Sequence, residues 1–346
     1  MSASQGGFQT SSRRNARQEE GGANSVTGQL AFLGLSHTPL LGIAQLAPQV
    51  EAELIAVLDR TREEVQRWMP DRVVLVAPDH YNGFFNELMP PFCIGSEAES
   101  VGDYLMPTGR LNVDAETALA CANYLLDEGF DLAVSRRMKV DHGFVQPLQL
   151  LWGGFETPPL IPLFMNAVAP PTIPRVRRCR QLGEALGRFV TQLPGRTLLI
   201  GSGGLSHEPP IPTMEHPDPN VRDRITRRTD LTEEVRLRKI QGATAAGRAL
   251  EIGDPSMKPL NPTWDRRWMD VMEGGDLESL DQMSEAAIAE EAGRSAHESK
   301  TWLIARSALP EQAHGCSLRY YQPINALIAG FGVMFVNAAV NFDQRI

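Results

Sequence analysis

The chain has 346 residues, and 42 Asp and Glu against 33 Lys and Arg leave it with a net charge of −9, which disfavours nucleic acid or an anionic membrane as its main partner. Its four cysteines (Cys93, Cys121, Cys179, Cys316) are far apart with no CxxC pair, so they read as reduced thiols and not as a disulfide framework or a zinc ribbon. No apolar run reaches membrane-spanning length and no signal-peptide core is present, so the expectation is a cytoplasmic protein.

Residues 1–29 are rich in Ser, Gly, Gln, Asn and Glu. They cannot bury enough surface to offset the entropy of ordering, and a mobile N-terminal extension is expected. The run LAFLGL from Leu30 predicts a strand that ends in Ser36-His37-Thr38-Pro39. Helix-spaced apolar residues (Leu54, Val57, Leu58, Val65, Trp68) predict a helix from Val50 to Trp68, stopped by Pro70. Val73-Val74-Leu75-Val76 then reads as a buried strand, broken at Ala77-Pro78, which presents Asp79, His80, Tyr81 and Asn82. Strand, helix and strand make a βαβ unit and hence a parallel sheet.

Met89 to Val113, rich in Pro and Gly, is expected to be irregular. A helix over Ala115–Glu128 and a short strand over Asp131–Ser135 follow, and lead into Val140-Asp141-His142-Gly143-Phe144. A strand at Leu160–Met165, a helix at Arg175–Leu193 and a strand at Thr197–Ile200 run into GSGGLSHEPP, Gly201 to Pro210. The polar, partly basic stretch from Ile211 to about Asp230 is expected to form a mobile loop or lid. Helices are predicted over Thr232–Leu250, Leu277–Ala292 and Ala296–Ala308, the last with Ser295 as N-cap and Glu298 at N3. With no internal repeat and no linker, the pattern is that of an α/β protein. It is expected to be a single domain, residues 30–346, with a mostly parallel central sheet flanked by helices on both faces.

Four of the seven histidines, His37, His80, His142 and His207, follow short apolar stretches and sit in turns. In open α/β sheets ligands bind beyond the carboxyl ends of the strands, so these imidazoles are expected to meet at one sheet edge. His216, His297 and His314 are expected on the solvated surface. Clustered imidazoles serve metal ligation or proton transfer. Two imidazoles and one carboxylate leave three positions open on an iron that must hold an organic chelator and dioxygen. Candidate acids are Asp79, Asp141, Glu208 and Glu298. Glu298 shares a helix face with Trp302 four residues on, although an acid in a first helical turn is equally explained by the dipole and the cap. The glycines of Gly201-Ser202-Gly203-Gly204 lack phosphate-loop spacing and are expected to allow a sharp turn or a close approach to a ligand. No GxSxG elbow is present to make Ser202 or Ser206 a nucleophile.

Several segments, LSHTPLLG (Leu35–Gly42), APDHYNGFF (Ala77–Phe85), MPPFCIG (Met89–Gly95), VDHGFVQPL (Val140–Leu148), GSGGLSHEPP, LNPTWD (Leu260–Asp265) and SAHESKTW, together resemble the class III extradiol ring-cleavage dioxygenases. The resemblance spans about Leu30 to Gly332. It implies Fe(2+) held by His37, His80 and Glu298, with His142 as proton donor and His207 as proton acceptor. It also implies a catechol with a propionate or cinnamate side chain as substrate, O2 as co-substrate, and a homotetramer. Asp141 is a candidate to orient His142, and Arg222 or Arg224 to meet the substrate carboxylate. The alternative is a zinc hydrolase built on the same His/His/Glu set.

Overall fold

The computed structural model describes residues 28–338, except Asp230 and His314. The predicted mobile extension thus lies outside the described residues but for its last two, and His314 lies outside them as well.

The chain runs β1 (Gln29–Leu35), α1 (Pro48–Trp68), β2 (Arg72–Ala77), β3 (Phe92–Gly95), β4 (Ala98–Ser100) and β5 (Gly109–Arg110). It continues through α2 (Ala115–Asp127), β6 (Ala133–Ser135), β7 (Met138–Val140), α3 (His142–Trp152), β8 (Leu160–Met165), α4 (Val176–Val190) and β9 (Arg196–Ser202). The last third holds α5 (Pro219–Thr226), α6 (Glu233–Glu251), α7 (Pro262–Gly274), α8 (Glu285–Ala292), α9 (Lys300–Ser307), β10 (Leu318–Ile324) and β11 (Ala329–Asn337).

Eight strands form one sheet in the order β10-β11-β1-β9-β2-β8-β3-β6, and β5-β4-β7 form a second, small sheet. The central strands β1, β9, β2 and β8 are parallel to one another. β11 joins β1 antiparallel, and β3 joins β8 antiparallel, so the parallel centre has mixed edges. Each central strand is buried on both faces. Successive residues therefore enter different cores: Phe32, Val74 and Leu199 pack on one side, Leu33, Leu75 and Ile200 on the other. Helices α2, α4, α7 and α9 cover the first face, and α1, α3 and α6 the second.

Three expectations change. Met89–Val113 is not irregular: it supplies β3 to β5, too short and Pro/Gly-flanked to show a period. Leu277–Ala292 is a 3-10 turn (Leu277–Leu280) and the separate helix α8, capped by the Ser284 side chain on Ala287 N. The predicted helix over Ala296–Ala308 is a 3-10 segment, Arg294–Ser299, followed by α9. Ser295 caps nothing there, because Gly293 holds the start at φ 100° and no side chain bonds the first turn.

All eight residues of α9 are buried. The helix lies against the sheet at β9, where a Cβ on Gly201 would stand 2.6 Å from the Trp302 Cα, and one on Gly203 would stand 2.5 Å from the Glu298 carbonyl oxygen. The glycines expected to admit a ligand therefore admit the chain's own helix, and the Trp302 indole donates to the Gly203 carbonyl at 3.0 Å. Gly201→Ala is expected to push α9 off the sheet and to cost roughly 1–3 kcal/mol, read as a lower urea midpoint at unchanged m-value.

Candidate active site

Three adjacent parallel strands end together. His37 follows β1, His207 follows β9 and His80 follows β2, so three imidazoles reach the carboxyl edge of the main sheet. His142 arrives differently: it opens α3 after β7 of the small sheet. Glu298 rises from the 3-10 turn before α9 and is only 1% exposed. All five predicted site residues line one cavity of about 630 Å³.

Their nitrogens converge. Glu298 Oε1 lies 2.9 Å from His80 Nε2 and 3.3 Å from His207 Nε2, and Oε2 lies 3.4 Å from His37 Nε2. Ring nitrogens of His37, His80 and His142 lie within 4.8 Å of one another. The His80 and His142 rings stack with centroids 4.4 Å apart.

The second contact of each ring sets its tautomer. The Ser202 hydroxyl donates to the Gly143 carbonyl at 2.7 Å, so its oxygen accepts from His37 Nδ1 at 2.9 Å. His37 Nε2 is then a bare lone pair, buried and without a hydrogen-bond partner. Burial first, and then the neighbouring His142 and His80, pulls the His37 pKa down to about 3, so the ring is neutral. His80 Nδ1 donates to Asp141 Oδ2 at 3.0 Å, and His207 Nδ1 donates to the Leu205 carbonyl at 2.9 Å. Both leave Nε2 facing the carboxylate.

The charges are strongly coupled. Burial works against ionised Glu298, but His207 beside it, and hydrogen bonds from His207 and His80, hold it well below the usual carboxylate range. Burial would lower His80, yet Asp141 and Glu298 raise it well above its ordinary value. His207 is likewise raised against burial by Glu298. An anionic carboxylate facing a bare imidazole lone pair and two more Nε2 atoms is a donor set able to hold a metal cation.

Several assignments are corrected. Asp141 orients His80, not His142. It lies 3.8 Å from His142 Nδ1, whereas Asp103 Oδ2 lies 2.6 Å from that atom and its Oδ1 accepts from His142 N. Asp103 carried no signal in the sequence, since it stands alone in a Gly/Pro-rich segment. Asp79 is occupied by the backbone N–H groups of Asn82, Gly83 and Phe84, and burial beside Asp141 pushes its pKa up to about 8. Glu208 pairs with Arg294. His297 is buried, not solvated, and desolvation lowers its pKa to about 3. His216 is half-buried. Arg222 turns to the His216 and Pro217 carbonyls, while Arg224 lines the cavity.

The stretch from Ile211 roofs the cavity through Ile211, Val221 and Ile225. Its helix α5 is tied to the loop beyond His80: Asn86 N donates to Ile225 O at 2.9 Å and Glu87 N to Thr226 O at 2.8 Å. The turn that carries His207 is fixed by Asp265 of the LNPTWD segment. Buried Asp265 accepts from Ser206 N at 2.7 Å, from the Ser206 hydroxyl at 2.6 Å and from the Tyr321 hydroxyl at 2.6 Å.

Residues 31–332 match the family described as the catalytic LigB subunit of aromatic ring-opening dioxygenase, and the chain belongs to that family. It is an enzyme of the extradiol catechol dioxygenase class. It is similar to the 2,3-dihydroxyphenylpropionate/2,3-dihydroxicinnamic acid 1,2-dioxygenase of Comamonas testosteroni, at 58% identity over 91% of this chain and 99% of that protein. Proteins of the same name from Klebsiella pneumoniae (strain 342) and Mycolicibacterium paratuberculosis are 45% and 44% identical, over 86% and 88% of this chain and 95% and 97% of their own lengths. Among the described residues no helix is long and apolar enough to cross a membrane.

Asp265→Ala strands the buried partners of one carboxylate and is expected to cost on the order of 3 kcal/mol. Urea unfolding checks the cost, and ring-cleavage activity should fall with it as the His207 turn loosens.

Proposed function

We propose that the protein opens the ring of 3-(2,3-dihydroxyphenyl)propionate, or of 2,3-dihydroxycinnamate, beside its diol, using dioxygen. The product would be a 2-hydroxy-6-oxo-nonadienedioate or the corresponding nonatrienedioate. The names of the relatives support the substrate. The observation that carries the chemistry is the meeting of the His37 and His80 Nε2 atoms on the Glu298 carboxylate. These three side chains would hold a ferrous ion, since two imidazoles and one carboxylate leave room for a diol and a gas molecule. When bound, the ion supplies Lewis acidity toward the phenolic oxygens and a path for electrons from the ring to oxygen.

The protein's own groups do the rest. His207, with its Nδ1 proton held on the Leu205 carbonyl, presents Nε2 as the base that takes a phenolic proton. His142 donates Nδ1–H to Asp103, which fixes the ring for its role as the group that gives a proton to the departing oxygen. Asp141 fixes the His80 ring from behind, as such partners do for metal-bound imidazoles. The roof over Ile211, Val221 and Ile225 keeps bulk water from the reacting carbon atoms. The proposal includes a cytoplasmic homotetramer, on the strength of the family resemblance and of four cysteines that are all unpaired.

Protein loaded anaerobically with ferrous ion and then given the propionate catechol and air should consume oxygen and release a yellow, visible-absorbing product. Activity with zinc alone, without oxygen uptake, would refute the proposal. His207→Ala should keep its iron content, measured after gel filtration, and lose turnover by roughly 10²–10⁴-fold.

A further inference from the structure

The cavity carries more positive charge than the chain as a whole would suggest. Six basic residues line it, Lys139, Arg224, Arg228, Arg236, Arg238 and Lys239, against only two acids, Glu99 and Glu298. The protein's net charge is −9, so this concentration is local. Glu298 belongs to the imidazole cluster, and Glu99 is paired with Lys139. The remaining cations face the cavity with no lining acid to neutralise them.

Most of them are already engaged or lie in water. Arg238 pairs with Glu234, Lys239 donates to Asn82 Oδ1, and Arg228 donates to the Gly83 carbonyl. Arg224 and Arg228 are exposed. Arg236 differs. It is half-buried on α6, its Nη2 donates to the Val101 carbonyl at 3.3 Å, and no carboxylate pairs with it among the described residues. Its Nε is buried and has no hydrogen-bond partner. An unpartnered guanidinium N–H is costly to keep from water, and an anion drawn to the rest of the guanidinium at the cavity wall would offset that cost.

Its neighbours run to the groups that hold the histidines. Val101 stands two residues before Asp103, which holds His142. One turn along α6, Lys239 binds Asn82, and Asn82 Nδ2 donates to Asp141 Oδ2 at 2.9 Å behind His80. Val235, Arg236, Lys239, Gly242 and Ala243 form one stripe of α6 along the cavity wall, at helical spacing. The small residues at its end leave open space, since a Cβ on Gly242 would meet nothing within 4 Å.

We infer that Arg236 is the specificity-determining residue for the substrate side chain: it receives the carboxylate at the end of the propionate or cinnamate tail while the diol sits at the histidine cluster. This rests on the function proposed above. A planar guanidinium pairs with a carboxylate through parallel N–H donors, which lysine cannot match, and the surrounding cations raise the local potential for anionic catechols. The contact lies away from the bonds being broken, so it is uniform binding and appears in KM and not in kcat.

The test compares 3-(2,3-dihydroxyphenyl)propionate with 3-propylcatechol, which keeps the three-carbon chain and lacks the two carboxylate oxygens and their charge, on the iron-loaded wild type and on Arg236→Met and Arg236→Lys. Arg236→Met should raise KM for the propionate roughly 10- to 100-fold, with kcat within about threefold of the wild type and KM for propylcatechol unchanged. Arg236→Lys should recover part of the loss. An equal rise of KM for both catechols would show a structural role and overturn the inference, as would an unchanged KM for the propionate. A wild type that cleaves both catechols with equal kcat/KM would overturn the inference and leave the proposed chemistry standing. A wild type that cleaves neither would overturn the proposed chemistry, and the inference with it.

Discussion

A carboxylate withdrawn from water needs positive charge close by, and Glu298 is the carboxylate on which this molecule turns. Among the described residues no arginine or lysine pairs with it. Its oxygens meet three imidazole Nε2 atoms instead, from the ends of three neighbouring strands. Without a cation, protons shared with His80 and His207 balance the charge; a divalent cation would replace them and do so better, because His37 offers a lone pair that no proton occupies. The arrangement is a demand for a cation built into the fold.

Meeting that demand fixes much of the architecture. The acid must come up from beneath the sheet while the histidines come over its edge. Helix α9 is therefore sunk in the apolar layer between the sheet and α4, and Gly201 and Gly203 let its backbone approach β9 closely. The imidazoles are held from the far side by three unlike groups: a serine hydroxyl for His37, a carboxylate for His80 and a backbone carbonyl for His207. His142 stands apart on the small sheet with its own acid, Asp103. Its ring nonetheless stacks on that of His80, so the two sheets meet at one cluster.

Much of this was legible in the sequence because two-faced burial writes itself as continuous apolar runs. Val73–Val76, Leu160–Met165 and Thr197–Ile200 are such runs, and the turns that end two of them, with the one that ends β1, carry His80, His207 and His37. The hidden parts have physical reasons. β3 to β5 are strands of two to four residues, too short for a period to emerge. Asp103 is defined by what it meets across the fold, and no neighbour in sequence betrays it. Ser295 and Glu298 have the spacing of a capping box, but the tertiary need for Glu298 overrides that local preference and the chain enters α9 through a 3-10 turn. His297 looked solvated because it is flanked by small and polar residues, yet its whole segment is buried. Arg236 is one of many basic residues on paper, and only burial of its Nε sets it apart.

The ties between α5 and the chain just past His80 have a mechanical meaning. Asn86 and Glu87 are bonded through their backbones to Ile225 and Thr226, so the wall of the cavity formed by α5 is tied to the chain that leads on from one of the cluster imidazoles. A ring substituent too bulky for the wall would strain that imidazole as well as the wall. Selection for size would then be felt at the reacting atoms, as slow turnover of an oversized molecule that still binds.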